Sequence, residues 1–192
     1  MDSVPSLSKK EKLLSGPDFS IAAIQDVLPF ILEGKLYGWN FIYTPSDKTR
    51  IIAEYFEFTP VQKVSIEDPL ISYDSPMISD SSSKFSCWVT YTYTDHQKQL
   101  QRYRQSVNLP KIKGVGVASI QKETAGIKEA FSNAAKNAIR SYYSTIIKNK
   151  PREITGTVYL TGEPRYYINS GKYVTALDLF LEKGTITEYR FF

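Results

Sequence analysis

The sequence predicts an α+β fold: an antiparallel or mixed sheet, with one long amphipathic helix (about 124–148) and a shorter N-terminal helix packed on one face. Three observations carry this. Residues 85–94 alternate apolar and polar side chains, and 172–182 place Tyr173, Thr175, Leu177, Leu179 and Leu181 on one side, both with the period of two of a half-buried strand. Ile127, Phe131, Ala134, Ala135, Ala138, Ile139, Tyr142, Ile146 and Ile147 recur at helical spacing, opposite a polar face. The element order is helix, two hairpins, long helix and then strands, without the alternation that builds a parallel sheet.

Residues 1–17, with Pro5, Gly16, Pro17 and several Ser and Lys, read as a tail before a single domain at 18–192. Asp18 is placed to cap a helix from about Phe19 to Glu33, with Pro29 inside it and Gly34 as a stop. Tyr37, Trp39, Phe41 and Tyr43 share one parity of a strand over 36–44. Thr44-Pro45-Ser46-Asp47 turns into a second strand over 50–58. Residues 64–83, rich in Ser, Asp and Pro, read as a long surface loop.

The strand at 85–94 is expected to fold back through Asp95-His96-Gln97-Lys98 into a polar return strand at 99–107. Gly114 and Gly116 suggest a bend or bulge within a strand at 111–120. Asn149 and Pro151 end the long helix. Strands follow at 155–160, 165–169 and 172–182, and Lys183-Gly184 is expected to turn the chain into a terminal hairpin with 185–192.

The 192 residues carry 24 Lys and Arg against 20 Asp and Glu, a net charge of +4 that conceals an asymmetry. Between Lys98 and Arg152 there are 12 basic and 2 acidic residues. Such a block creates a local field that attracts anions. Arg102, Tyr103, Arg104, Lys128, Lys136, Arg140, Lys148, Lys150 and Arg152 are therefore the candidate anion- or nucleic-acid-binding residues. Cations interleaved with aromatic rings are what a single-stranded nucleic acid requires.

Chemistry is otherwise sparse. One Cys and one His exclude a disulfide framework and a Cys/His zinc site within one chain. Gly114-Val115-Gly116 is not a phosphate loop, because Ser119 occupies the position of the third glycine. Asp95-His96 lies where a catalytic pair would lack a rigid frame. Cys87 reads as a small hydrophobe on a strand. Glu54, Glu57, Glu67 and Asp68 read as a solvated acidic edge rather than a metal site. No cofactor is implied. The stretch 21–32 contains Asp26 and Pro29 and is too short to span a membrane. Lys9, Lys10, Glu11 and Lys12 stand where a secretory signal would be apolar, which reads as cytoplasmic for a full-length chain. A matured chain would instead belong to the cell envelope or periplasm.

Between Phe85 and Tyr143, a hairpin precedes Gly114-x-Gly116 and Ala130-x-x-x-Ala134-x-x-x-Ala138-Ile139-Arg140-Ser141-Tyr142. This resembles the core of recombination single-strand-annealing proteins, which implies a hairpin and helix that carry basic residues into a DNA groove. The same glycines and Ala-rich helix are also similar to small bacterial envelope lipoproteins and flagellar-assembly proteins, which implies a non-catalytic assembly module. The leading expectation is a non-enzymatic module that binds a protein partner or self-assembles. The alternative is a single-stranded nucleic-acid binder.

Overall fold

A helix can lie close to a strand only where neither carries bulk, and two glycines meet three alanines at the centre of this protein. The computed structural model describes residues 17–74, 77–79, 84–86 and 88–189. The first 16 residues of the expected tail, residues 75–76 and 80–83 of the expected loop, Cys87 and the last three residues lie outside the described residues.

Helix α1 (Pro17–Leu36) leads into β1 (Trp39–Thr44) and β2 (Tyr55–Pro60). The short strands β3 (Ile71–Tyr73), β4 (Met77–Ser79), β5 (Lys84–Ser86) and β6 (Val89–Tyr91) come next. They are followed by α2 (Asp95–Ser106), β7 (Lys111–Ser119), a 3-10 turn (Ile120–Lys122) and the 24-residue α3 (Glu123–Ile146). The chain closes with β8 (Glu153–Leu160), β9 (Arg165–Asn169) and β10 (Lys172–Thr187). The main sheet is antiparallel, in the order β2-β1-β8-β10-β7, with β9 also paired to β10. The fold class is the expected α+β.

Helix α3 lies across β7 and β10 with Ala130, Phe131, Ala134, Ala135, Ala138 and Ile139 buried. A Cβ on Gly114 would sit 2.1 Å from the Ala134 carbonyl oxygen, and one on Gly116 would sit 2.2 Å from the Ala130 carbonyl oxygen. Both glycines are therefore needed for contact between backbones, and the Gly-x-Gly is a docking seat for the helix. Asn137 Nδ2 then donates to the Val115 carbonyl (2.8 Å) and Asn133 Nδ2 to the Val117 carbonyl (3.0 Å). These bonds occupy backbone acceptors on a strand paired through β10 alone among the described residues.

Helix α1 outruns its expected end. Gly34 does not stop it, because its missing side chain makes room for the Trp39 ring, 2.0 Å from where a Cβ would be. The stop is Gly38, at φ +88°, and the backbone N–H groups of Tyr37 and Gly38 both donate to the Glu33 carbonyl. Phe30 and Phe58 pack against Trp39 with ring centroids 5.0 Å away, which ties α1 to β1 and β2.

Three other expectations are corrected. Residues 95–106 form a helix rather than a hairpin tip and a return strand. Thr94 and Gln97 make a reciprocal capping box: the Thr94 N–H donates to Gln97 Oε1 (2.8 Å) and the Gln97 N–H to Thr94 Oγ1 (3.3 Å). Residues 64–83 are not wholly loop, since β3 pairs with β6 and β4 with β5. This pairing also divides the single strand expected at 85–94. Finally, β10 does not turn at Lys183-Gly184. It continues with a register shift between Lys183 and Ile186. Gly184 is there because a Cβ would lie 2.8 Å from the Thr155 carbonyl oxygen, so the bulge replaces the turn.

Gly116→Ala is expected to destabilise the protein by at least about 2 kcal/mol, read as a lower urea midpoint, because backbone rather than a flexible side chain must move. Glu33 supplies a second prediction. It is buried, and burial holds its carboxyl above the ordinary value although the Val64 N–H donates to it. The folded state thus holds this proton more tightly than the unfolded state, and its contribution to stability falls as pH rises from the unfolded carboxyl pKa through the raised one. Glu33→Gln should therefore melt higher than the parent at pH 7. The gap should close as pH drops below the ordinary carboxyl range.

Candidate interaction sites

Folding separates the nine residues picked out from the basic block. Arg102 and Tyr103 project from α2, Tyr103 being 63% exposed. Arg104, on the same helix, is turned inward. Its Nη1 donates to the Leu36 carbonyl at the end of α1 (2.7 Å), and its guanidinium lies 3.9 Å above the centre of the Tyr159 ring. Burial lowers its pKa, opposed by Tyr159 and Glu182. A cation on the last carbonyls of a helix satisfies groups that the helix itself leaves open. Arg104 is thus corrected from a phosphate contact to a clamp between helices. The Tyr159 hydroxyl donates to Glu182. Burial and that carboxylate push the phenol to about 12.

The cations of α3 are largely matched by acids. Lys128 Nζ lies 2.6 Å from Asp26 Oδ1, and this bond holds the Asp26 carboxyl below its usual range. Lys136 and Arg140 flank Glu54 at 3.7 and 3.6 Å, and the Tyr43 hydroxyl donates to the same carboxylate (2.9 Å). Glu54, expected on a solvated acidic edge, instead links β1 to α3. No group of three or more potential metal ligands occurs among the described residues.

The residues that come together are Arg140, Lys148 and Lys150. They line one cleft of about 290 Å³ beside the C-terminal end of α3. Lys128, Lys136, Arg102 and Tyr103 do not line it, and neither does Arg152, whose backbone N–H bonds to Thr187 in β10.

A second surface was not among the expected site residues. At the other end of α3, strand β9 pairs with β10 on one side. The tight link Ser170-Gly171, with φ of 49° and 70°, turns one strand into the next. Tyr166, Tyr167 and Ile168 are 54%, 55% and 63% exposed. Tyr167 faces Val174, which faces Val117, so an apolar row crosses three strands, with exposed Val115 beside it. The signal in the sequence was three consecutive bulky apolar residues. Alternation along a strand sends neighbours to opposite faces, so one sheet face cannot bury all three.

A protein-family model matches residues 1–189, almost the whole chain. The chain belongs to that family. It is also 28% identical over 166 residues to an uncharacterized protein of Treponema pallidum (strain Nichols), a match covering 86% of this chain and 69% of that one. No solved structure matches the chain significantly. The family match runs over β8–β10 as well as the centre, and it replaces the two partial resemblances drawn from residues 85–143. The comparisons show no likeness to annealing proteins, envelope lipoproteins or flagellar-assembly proteins. The glycines and alanines behind those resemblances are explained by packing of α3 on β7, and the hairpin they required is helix α2.

Arg102→Ala and Arg104→Ala remove equal charge and should differ in stability. Arg104→Ala is expected to cost about 2 kcal/mol, since it frees a buried carbonyl and strips the Tyr159 ring. Arg102→Ala should stay within about 0.5 kcal/mol of the parent. Urea titrations of the two variants check this.

Proposed function

We propose that the protein is a non-catalytic binding module that receives an extended segment of a partner protein along the open edge of β9. The observation that carries this reading is the exposure of Tyr166, Tyr167 and Ile168 on a strand paired only through β10 among the described residues. An unpaired edge with apolar side chains is a template for another strand, and soluble proteins commonly blunt such edges. The other two edges of this sheet are blunted. Val115 and Val117 of β7 have their carbonyls bonded to Asn137 and Asn133, and β2 carries Glu57 and ends at Pro60. Past Arg165, which opens it, β9 has no proline and no charge. Added strands gain affinity from main-chain hydrogen bonds and specificity from alternate side chains, here the row through Tyr167, Val174 and Val117 on one face.

A photo-crosslinking residue in place of Tyr167 should yield one dominant adduct in native cell extract, and the same residue in place of Thr59 on β2 should not. Ile168→Asp in the Tyr167 crosslinking protein should reduce the adduct at least about tenfold, since a charge would be buried at the contact. An adduct with a second copy, accompanied by a dimer in sedimentation, would change the partner to self-assembly. A monomer without a specific adduct would overturn the reading.

The alternative, a single-stranded nucleic-acid binder, draws support from exposed Arg102 and Tyr103 and from the basic turn at 148–152. Against it stands the pairing of Lys128, Lys136 and Arg140 with Asp26 and Glu54. Labelled oligonucleotides at low salt test it: phosphate contacts give binding that weakens steeply as salt is added.

A further inference from the structure

We infer that the cleft beside the C-terminal end of α3 binds a small organic oxyanion, a phosphate monoester or carboxylate carried on an apolar body, independently of the β9 edge. The cleft is built for two kinds of contact. Its apolar lining includes Tyr43, Tyr143, Ile147 and Ile154, and its cations are Arg140, Lys148 and Lys150. At about 290 Å³ it is at the small end of ligand sites, the size of a ring with one charged group.

The cations are available to different degrees. Lys150 Nζ donates to the Ser46 carbonyl (2.6 Å), which anchors its head group on the β1 side of the cleft. Arg140 is exposed and only loosely paired with Glu54, at 3.6 Å. Lys148 is exposed, and no ion pair involves it among the described residues. The end of a helix attracts cations by itself, so the charges alone do not make a site. The distinguishing feature is Tyr143. It is 3% exposed, lines the cleft, and its hydroxyl has no hydrogen-bond partner among the described residues. Burial, and then Tyr142, raise its pKa, so the hydroxyl stays protonated as a donor. An enclosed donor without an acceptor is rare in native proteins and is satisfied when an oxyanion supplies the acceptor.

Calorimetric titration of the full chain with phenyl phosphate, benzoate, inorganic phosphate and phenol tests this. Phenyl phosphate or benzoate should bind at least about tenfold more tightly than inorganic phosphate or phenol, because only they use both the apolar lining and the cations. The tighter of the two identifies the head group. Arg140→Ala with Lys148→Ala should weaken that ligand at least about tenfold. Tyr143→Phe, with far-ultraviolet circular dichroism as a check on folding, should weaken it several-fold, and Arg102→Ala should leave it unchanged. Absence of binding at millimolar concentration would overturn the inference. So would equal binding of inorganic phosphate, or affinity untouched by the cleft variants.

Discussion

The backbone of α3 rests directly on β7, and the rest of the structure is organised around that contact. It exists because positions 114 and 116 have no side chain and positions 130, 134 and 138 have only a methyl. Closeness puts Asn133 and Asn137 within reach of the Val115 and Val117 carbonyls, so one contact both seats the helix and closes an edge of the sheet. The helix then presents Phe131 to Phe30 of α1, and through it the aromatic cluster of β1 and β2. With β7 held on one side and β8 on the other, β10 can run for 16 residues across the middle of the sheet.

A helix of 24 residues is about 36 Å long at 1.5 Å per residue, and its two ends meet different chemistry. Near its start Gly126 lies against Tyr173 of β10, and the β9–β10 hairpin there leaves Tyr166, Tyr167 and Ile168 exposed. Near its end, the chain turns through Lys148, Asn149, Lys150 and Pro151 and encloses the basic cleft. Between the two, Asp26 and Glu54 reach the helix from α1 and from the segment before β2 and pair with its lysines and arginine. The charge of the basic block is thus divided among a clamp, a set of ion pairs and a cleft instead of forming one stripe.

The clamp is made by α2, a helix with little apolar surface. Its one buried side chain, Gln97, uses both ends of its amide: Oε1 accepts from the Thr94 N–H, while Nε2 donates to the hydroxyls of Tyr37 (2.8 Å) and Tyr91 (2.9 Å). Together with Arg104 on the Leu36 carbonyl, this joins α2 to the end of α1 and to β6 by polar contacts rather than by an apolar stripe. That is why hydrophobic periodicity misreads it. The local sign of a helix was Thr94-x-x-Gln97, a capping pattern that does not depend on an apolar face. At Gly184 a two-residue turn and a bulge call for the same residue. Only the approach of Thr155 distinguishes them.

The sequence by itself determined the α+β class, the long helix with its buried stripe from Ile127 to Ile139, and the strand phases at 39–43 and 173–181; past Ile139 the expected stripe fails, since Ile146 is exposed and the buried residue is Tyr143. These are legible because burial on one face imposes a period of 3.6 or 2 on neighbouring residues, whatever lies across from them. It also located the excess of positive charge along the chain. The tertiary structure decided which cations are engaged and which are exposed. Arg104 meets a carbonyl 68 residues away, Lys128 meets Asp26 102 residues away, and Arg140, Lys148 and Lys150 line a common cleft. It likewise decided that Tyr166, Tyr167 and Ile168 lie at an edge. Exposure and pairing depend on what the fold brings alongside a residue, and no local pattern encodes a neighbour a hundred positions distant.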